Sequence, residues 1–119
     1  MNIFAATAGA TTLVDYEGYA MKIHTDGTII KIAAETDSPI GPLVSGAAVG
    51  ESVAVAAPGA IAKVKLSGTV KRLQYLQVAA DATYLAAAFE AAEIVAALAL
   101  EDGVSGDLVN ALVTTPAEF

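Results

Sequence analysis

Residues 50–68, GESVAVAAPGAIAKVKLSG, decide the fold. Two apolar runs flank the Pro58-Gly59 step, which is a strong turn signal. The side chains of the second run alternate in type, and a period of two is the mark of a half-buried strand. The stretch therefore predicts two strands joined at a tight corner, the second with a solvated, cationic face. The predicted buried face holds Ala60, Ala62, Val64 and Leu66, and the opposite face holds Ile61, Lys63 and Lys65.

Length and composition indicate one folded domain. At 119 residues the chain suffices for one modest core. With 55% hydrophobic and 16% charged residues, it is too apolar to stay disordered. Much of the apolar content is Ala and Val, which bury little area each. We therefore expect packing against neighbouring molecules to complete its stability.

The charge balance excludes several classes of function. Six basic residues stand against 13 acidic ones, and the net charge is −7. A nucleic-acid-binding surface needs clustered Lys and Arg, so no nucleic-acid partner is expected. An anionic membrane surface is disfavoured for the same reason. The chain has no Cys, which excludes a disulfide, a thiolate nucleophile or a Cys-ligated metal.

Strand and turn signals recur along the chain. Residues 19–24 alternate, and the following Asp26-Gly27 step is a hairpin signal with a return strand over 28–33. Pro and Gly within 39–44 permit only an edge or bent strand there. Short strands at this spacing predict a mainly β fold, a small β-barrel or sandwich. Further short strands are predicted over 73–78, 94–100 and 107–113.

The remaining segments are predicted to lie outside the strands. Residues 1–17 are rich in Ala, Thr and Gly without periodicity, which indicates an extended N-terminal arm that is loose or orders on a partner. Residues 18–119 form a single β-rich domain. It holds at most one short helix, over 86–93, where Ala and Glu favour helix. Residues 114–119 are predicted to be a tail.

No catalytic constellation is visible, so we expect no enzyme activity, cofactor or bound metal. His24, the one histidine, falls on the polar face of a predicted strand and is expected to face solvent. Carboxylates at Glu101, Asp102 and Asp107 surround a Gly-containing turn, an arrangement that suits Ca²⁺. Their spacing is not that of an EF-hand loop, and a solvated acidic turn is the favoured interpretation.

One short segment offers an alternative function, a small carrier or binding module. Ala20-Met21-Lys22-Ile23 resembles the Ala-Met-Lys-Met signature of biotinyl carrier domains, in which an exposed hairpin turn presents the modified Lys. In this chain Lys22 falls inside an alternating strand instead. The hairpin signal comes four residues later, at Asp26-Gly27.

Residues 40–113 as a whole resemble the small capsid decoration, or cement, proteins of tailed bacteriophages. The resemblance rests on GAAVGESVAV at 46–55, GAIAKVKLSG at 59–68, a strand and Asp turn over 73–83, and IVAALALEDGVSGDLV at 94–109. Arg72-Leu73-Gln74 replaces the expected Gly-Asp strand start, and the apolar insert around Phe89 is longer than expected.

The resemblance implies a structural protein of the virion without catalysis. Such proteins sit on the outer surface of the mature head, commonly as homotrimers at local threefold positions, and clamp neighbouring major capsid protein subunits. An extended arm can add to a neighbour's sheet edge through main-chain hydrogen bonds. The residues predicted to contact the capsid or another subunit are Ile3, Phe4, Ile61, Lys63 and Lys65.

Overall fold

The computed structural model describes residues 3–9, 12–34, 37, 39–88 and 93–118, and these contain ten strands in two antiparallel sheets. The mainly β prediction is confirmed. None of the described residues is helical, so the described chain holds no helix that could cross a membrane. The first sheet comprises β1 (Ile3–Thr7), β2 (Ala20–Ile23), β3 (Ile29–Lys31), β4 (Gly41–Ser45) and β5 (Ser52–Ala56). The second comprises β6 (Ile61–Lys65), β7 (Tyr75–Val78), β8 (Tyr84–Ala86), β9 (Ile94–Ala99) and β10 (Leu108–Glu118).

The two sheets have the same strand order. The first runs β1-β5-β4-β2-β3 and the second runs β6-β10-β9-β7-β8, so each strand of the first has a counterpart in the second. We call β1–β5 unit 1 and β6–β10 unit 2. Each sheet curls until its outermost strands meet at one parallel bridge, between Ala8 and Ile29 in unit 1 and between Leu66 and Tyr84 in unit 2.

The turn between the second and third strands is also repeated. In unit 1, Asp26 Oδ1 accepts hydrogen bonds from the Thr28 N–H and hydroxyl. In unit 2, Asp81 Oδ1 accepts from the same two groups of Thr83. The residue between them has a positive φ in both units, +85° at Gly27 and +69° at Ala82. The predicted Asp26-Gly27 hairpin is thus one of a matched pair.

Each unit has its own apolar core, because alternate side chains of every strand point inward. Unit 1 encloses a cluster that includes Leu13, Met21, Leu43 and Val55. The cluster of unit 2 is larger and also takes in Ala20 and Ile32 from unit 1. It includes Val64, Leu66, Leu76, Val78, Tyr84, Ala99 and Ala111. The second core is therefore completed by the outer face of the first sheet.

The Pro58-Gly59 corner passes the chain from one sheet to the other. The Ala60 N–H donates to the Ala57 carbonyl, and Gly59 has a φ of +99°, which glycine adopts without steric cost. The strands on either side, β5 and β6, belong to different sheets. The predicted faces of β6 are confirmed: Val64 and Leu66 are buried, whereas Ile61 and Lys63 are exposed.

Three predicted segments need correction. The N-terminal residues are extended but not loose, because Ile3–Thr7 pairs along its length with β5 and both Ala8 and Leu13 are buried. No helix forms over the described part of 86–93: Ala86 belongs to β8, and residues 89–92 lie outside the described residues. Residues 114–118 are not a tail, since β10 continues through a bulge to Glu118.

Candidate docking surface

A groove between the two units gathers most of the predicted contact residues. Its volume is about 220 Å³, and its lining comes from β1, β4, β6, β10 and the turn before β2. Four large apolar side chains meet there that are all partly exposed: Ile3, Val44, Ile61 and Leu108. Glu17 and Lys63 add one charge of each sign to the same lining.

The turn that enters β2 fixes the spacing of this groove. The Lys65 N–H donates to the Gly18 carbonyl at 2.9 Å, which ties unit 2 to unit 1. Gly18 has a φ of +90°, and a Cβ there would lie 2.5 Å from Leu108 Cδ2 and 2.9 Å from the Lys65 nitrogen. Because the two units approach so closely, position 18 requires glycine.

The predicted contact residues are only partly brought together. Ile3, Ile61 and Lys63 line the groove, and Lys65 lies on the same exposed face of β6 but is half-buried. Phe4 pairs with Val55 through its backbone, and its side chain lies outside the described residues. The contact role of all five stays a prediction.

Of the four large, partly exposed apolar residues of the groove, sequence reasoning missed two, Val44 and Leu108. Leu108 alternates with buried Val109, so a large apolar side chain at an outward position was the available signal. Val44 gave no such signal. It lies where the pairing of β4 with β5 shifts register between Leu43 and Ser45, and a bulge changes which face a side chain occupies.

Lys22, the residue of the alternative carrier function, is held within the fold. It pairs with Ile30 in the middle of the β2–β3 ladder. Its Nζ lies 3.1 Å from Asp37 Oδ2, which also accepts hydrogen bonds from the Ala33 and Ala34 N–H groups. These hydrogen bonds, that from Ala33 first, hold the pKa of Asp37 below its usual value. A lysine engaged in this way differs from one displayed at a turn.

The acidic turn uses its carboxylates to accept backbone hydrogen bonds. Glu101 Oε1 accepts from Asn110, Asp102 Oδ1 from Arg72, and Asp107 Oδ2 from Val104. Within the described ranges, no group of three or more His, Asp or Glu side chains is placed to hold a metal ion. The carboxylates in this region therefore have a structural explanation.

A second, more open groove lies between the two hairpins. It has a volume of about 430 Å³ and includes His24, Lys31 and Asp81 in its lining. His24 is exposed, with its Nδ1 3.2 Å from Asp26 Oδ1. Lys31 Nζ sits 4.1 Å from the centre of the Tyr16 ring, a cation–π contact that holds the ammonium against unit 1.

Tyr84 is a buried polar side chain whose pKa is perturbed. It is fully buried in the core of unit 2, and its hydroxyl has no hydrogen-bond partner among the described residues. Burial raises the pKa of Tyr84 far above its ordinary value, because the phenolate would lose its hydration. The hydroxyl is inaccessible to solvent, so it does not indicate a reactive site.

Comparisons with known proteins identify the fold. No protein-family model and no curated protein matches the sequence. A solved structure does match: the crystal structure of the head fiber gp8.5 N base in bacteriophage phi29 has a TM-score of 0.68 to this chain. The two are 22% identical in sequence, and the match covers 98% of each chain. The fold of this chain is therefore that of a known phage head fiber base.

Proposed function

We propose that this chain is a structural protein of a tailed-phage virion that binds the outside of the head. The observation that carries the proposal is the end-to-end fold match to a phage head fiber base. The sequence resemblance to decoration proteins, which rests on motifs in 46–109, points to the same part of the virion. The partly exposed apolar groove between the units fits a protein that docks on another surface.

In its finer form, the proposal is that the chain binds the major capsid protein, sits on the shell as a homotrimer and stabilises contacts between capsid subunits. Its role is one of binding, without catalysis, cofactor or metal. The net charge of −7 supports this role, because it keeps the free protein soluble and away from DNA before assembly.

Co-sedimentation with heads of tailed phages from the same source tests the proposal. Purified protein is mixed with mature, expanded heads and with immature heads, and the bound fraction is measured against concentration. We expect saturable binding to the expanded heads, with a copy number that reports the number of sites. No binding to any head would overturn the proposal.

The alternative carrier function has a direct test. Protein produced together with biotin ligase is blotted with streptavidin, and Lys22→Arg serves as the matched control. Because Lys22 lies mid-strand and contacts Asp37, we expect no signal from either protein. A signal that Lys22→Arg removes would replace the virion proposal with a carrier function.

A further inference from the structure

One row of side chains crosses the outer face of the second sheet and remains exposed to solvent. Cross-strand pairing places Ile61 beside Leu112, Leu112 beside Leu98, and Leu98 beside Tyr75. We call these four residues the open row. Ile61 and Tyr75 are 56% and 49% exposed, and the two leucines between them are half-buried. Four large apolar residues in register on four neighbouring strands form a continuous stripe.

The corresponding row of unit 1, apart from the partly exposed Ile3, is an interface inside the molecule. Ile3 pairs with Ala56, and Ala20 pairs with Pro42, at positions that match the open row strand by strand. We call Ile3, Ala56, Pro42 and Ala20 the covered row. Ala20 is buried in the core of unit 2, where its N–H donates to the Ala82 carbonyl at 2.7 Å. Ala56 packs with Ala60 and Val113. In unit 1, this row of the sheet therefore packs against unit 2.

The charges beside the open row indicate what kind of partner it fits. Lys63 and Lys65 follow Ile61 on the same face of β6, and neither forms a salt bridge within the described residues. An apolar centre with a basic margin is complementary to an apolar patch bordered by carboxylates.

The two lysines argue against the open row of a second copy as the partner. Two open rows placed face to face would bring Lys63 and Lys65 of both copies together, and like charges repel one another. The inner side of the second sheet is already occupied, by its own core and by the outer face of unit 1. The open row thus lies on the outer face of the second sheet, and at its Ile61 end it borders the groove between the two units.

We propose that the open row, Ile61–Leu112–Leu98–Tyr75, is the surface through which the chain seats on the head, against an apolar patch of head protein bordered by carboxylates. This inference rests on the proposed function and deepens it. The lysines at 63 and 65 steer the approach and fix its orientation, so binding weakens as salt concentration rises.

Two aspartate variants test the assignment with a matched control. Ile61→Asp places a charge in the open row, whereas Ile23→Asp places the same charge on a β2 residue that is 57% exposed in unit 1. Binding to expanded heads is measured by co-sedimentation for both variants and for the wild type. We expect Ile61→Asp to weaken binding by about tenfold or more and Ile23→Asp to leave it unchanged. Leu112→Thr, which keeps a strand-forming residue, provides a second measurement should Ile61→Asp fail to fold.

The outcomes separate the two proposals. A wild-type protein that binds no head overturns the proposed function. Wild-type binding that both Ile61→Asp and Leu112→Thr retain overturns the open row and leaves the proposed function standing. Sedimentation velocity of the free protein tests whether a second copy covers the open row instead. If wild-type copies associate, and Ile61→Asp abolishes that association without weakening head binding, then a second copy binds the row. That result would overturn the inference.

Discussion

Units 1 and 2 have the same strand order, but the outer faces of their sheets are in opposite situations. In unit 1 the covered row consists largely of small residues; Ala20 and Ala56 are buried against unit 2, and Pro42 between them is buried. In unit 2 the matching positions hold Tyr75, Leu98 and Leu112, which are exposed or half-exposed. One backbone arrangement thus carries a permanent interface in one unit and an accessible face in the other.

The small side chains of the covered row explain how the two units pack closely together. Small residues let two sheets approach closely, and protein interiors are packed too densely to accept extra volume. Large apolar residues at the same positions of unit 2 would prevent such an approach. They present more apolar area per residue instead, which suits a surface that must gain free energy on contact with a partner.

The largest expected effect comes from exchanging residues between the two rows. Ala56→Leu places the side chain of position 112 into the fully buried site beside Val113, and we expect the free energy of unfolding to fall by about 1–3 kcal/mol. Leu112→Ala removes a half-buried side chain and should cost about 1 kcal/mol. Urea denaturation measures both. Equal losses would show that the rows do not differ in packing.

The next effect concerns the buried hydroxyl of unit 2. Tyr84 and Ile29 occupy matching bridge positions, but only Tyr84 brings a hydroxyl into the core, and this hydroxyl has no partner among the described residues. Tyr84→Phe removes it, and we expect the free energy of unfolding to rise by about 1–2 kcal/mol. Tyr84→Leu is the control, since it also removes ring volume and should destabilise the protein. Destabilisation by Tyr84→Phe would mean that the hydroxyl is satisfied.

The pH dependence of stability in the wild type and in Tyr84→Phe provides a second test of this hydroxyl. In the unfolded chain the Tyr84 hydroxyl ionises near pH 10, whereas burial raises its pKa in the folded state. Below pH 10 the group is protonated in both states and its contribution is constant. Above pH 10 only the unfolded chain ionises, so stability falls as pH rises. Urea midpoints at pH 9 and pH 11 should therefore diverge less for Tyr84→Phe than for the wild type.

Local signals in the sequence were sufficient to predict β6, the Asp26-Gly27 hairpin and most strand positions. Alternation settles which faces of β6 are buried, because burial there depends on the core directly beneath the strand. The strand β1 was not predictable in this way. Ile3–Thr7 contains little alternation, and what orders it is pairing with β5, far away in the sequence.

The duplication and the open row also lie beyond local signals. The units keep the same residue types mainly at turns, such as Asp26 with Asp81 and Thr28 with Thr83. Alternation assigns Ala20 and Tyr75 to the outer faces of their sheets, but it cannot say which outer face another unit covers. That depends on how two separate cores pack. The groove residues Ile3 and Ile61 were predicted, whereas Val44, Leu108 and the rest of the row were not.

A smaller effect is expected from the matched turns. Gly27 has a φ of +85° with open space around its Cα, so Gly27→Ala introduces backbone strain alone and should cost about 1 kcal/mol. Ala82 has a similar φ but a fully buried methyl group. In Ala82→Gly the relief of strain offsets a lost methyl worth about 0.8 kcal/mol, and the net change should be near zero. Thermal unfolding compares the two variants, and equal losses would contradict this account.

The smallest effect is expected from the carboxylate of the unit 1 turn in acid. The hydrogen bond from the Thr28 hydroxyl, followed by that from its N–H, lowers the pKa of Asp26. A carboxyl whose folded pKa is lowered stabilises the protein above its unfolded pKa of about 3.9, and this contribution is lost as the pH falls through the folded value. Asp26→Asn should therefore reduce the thermal midpoint slightly at pH 6 and hardly at all at pH 2. A difference from wild type that persists unchanged at pH 2 would show that the turn depends on the shape of the side chain rather than on its charge.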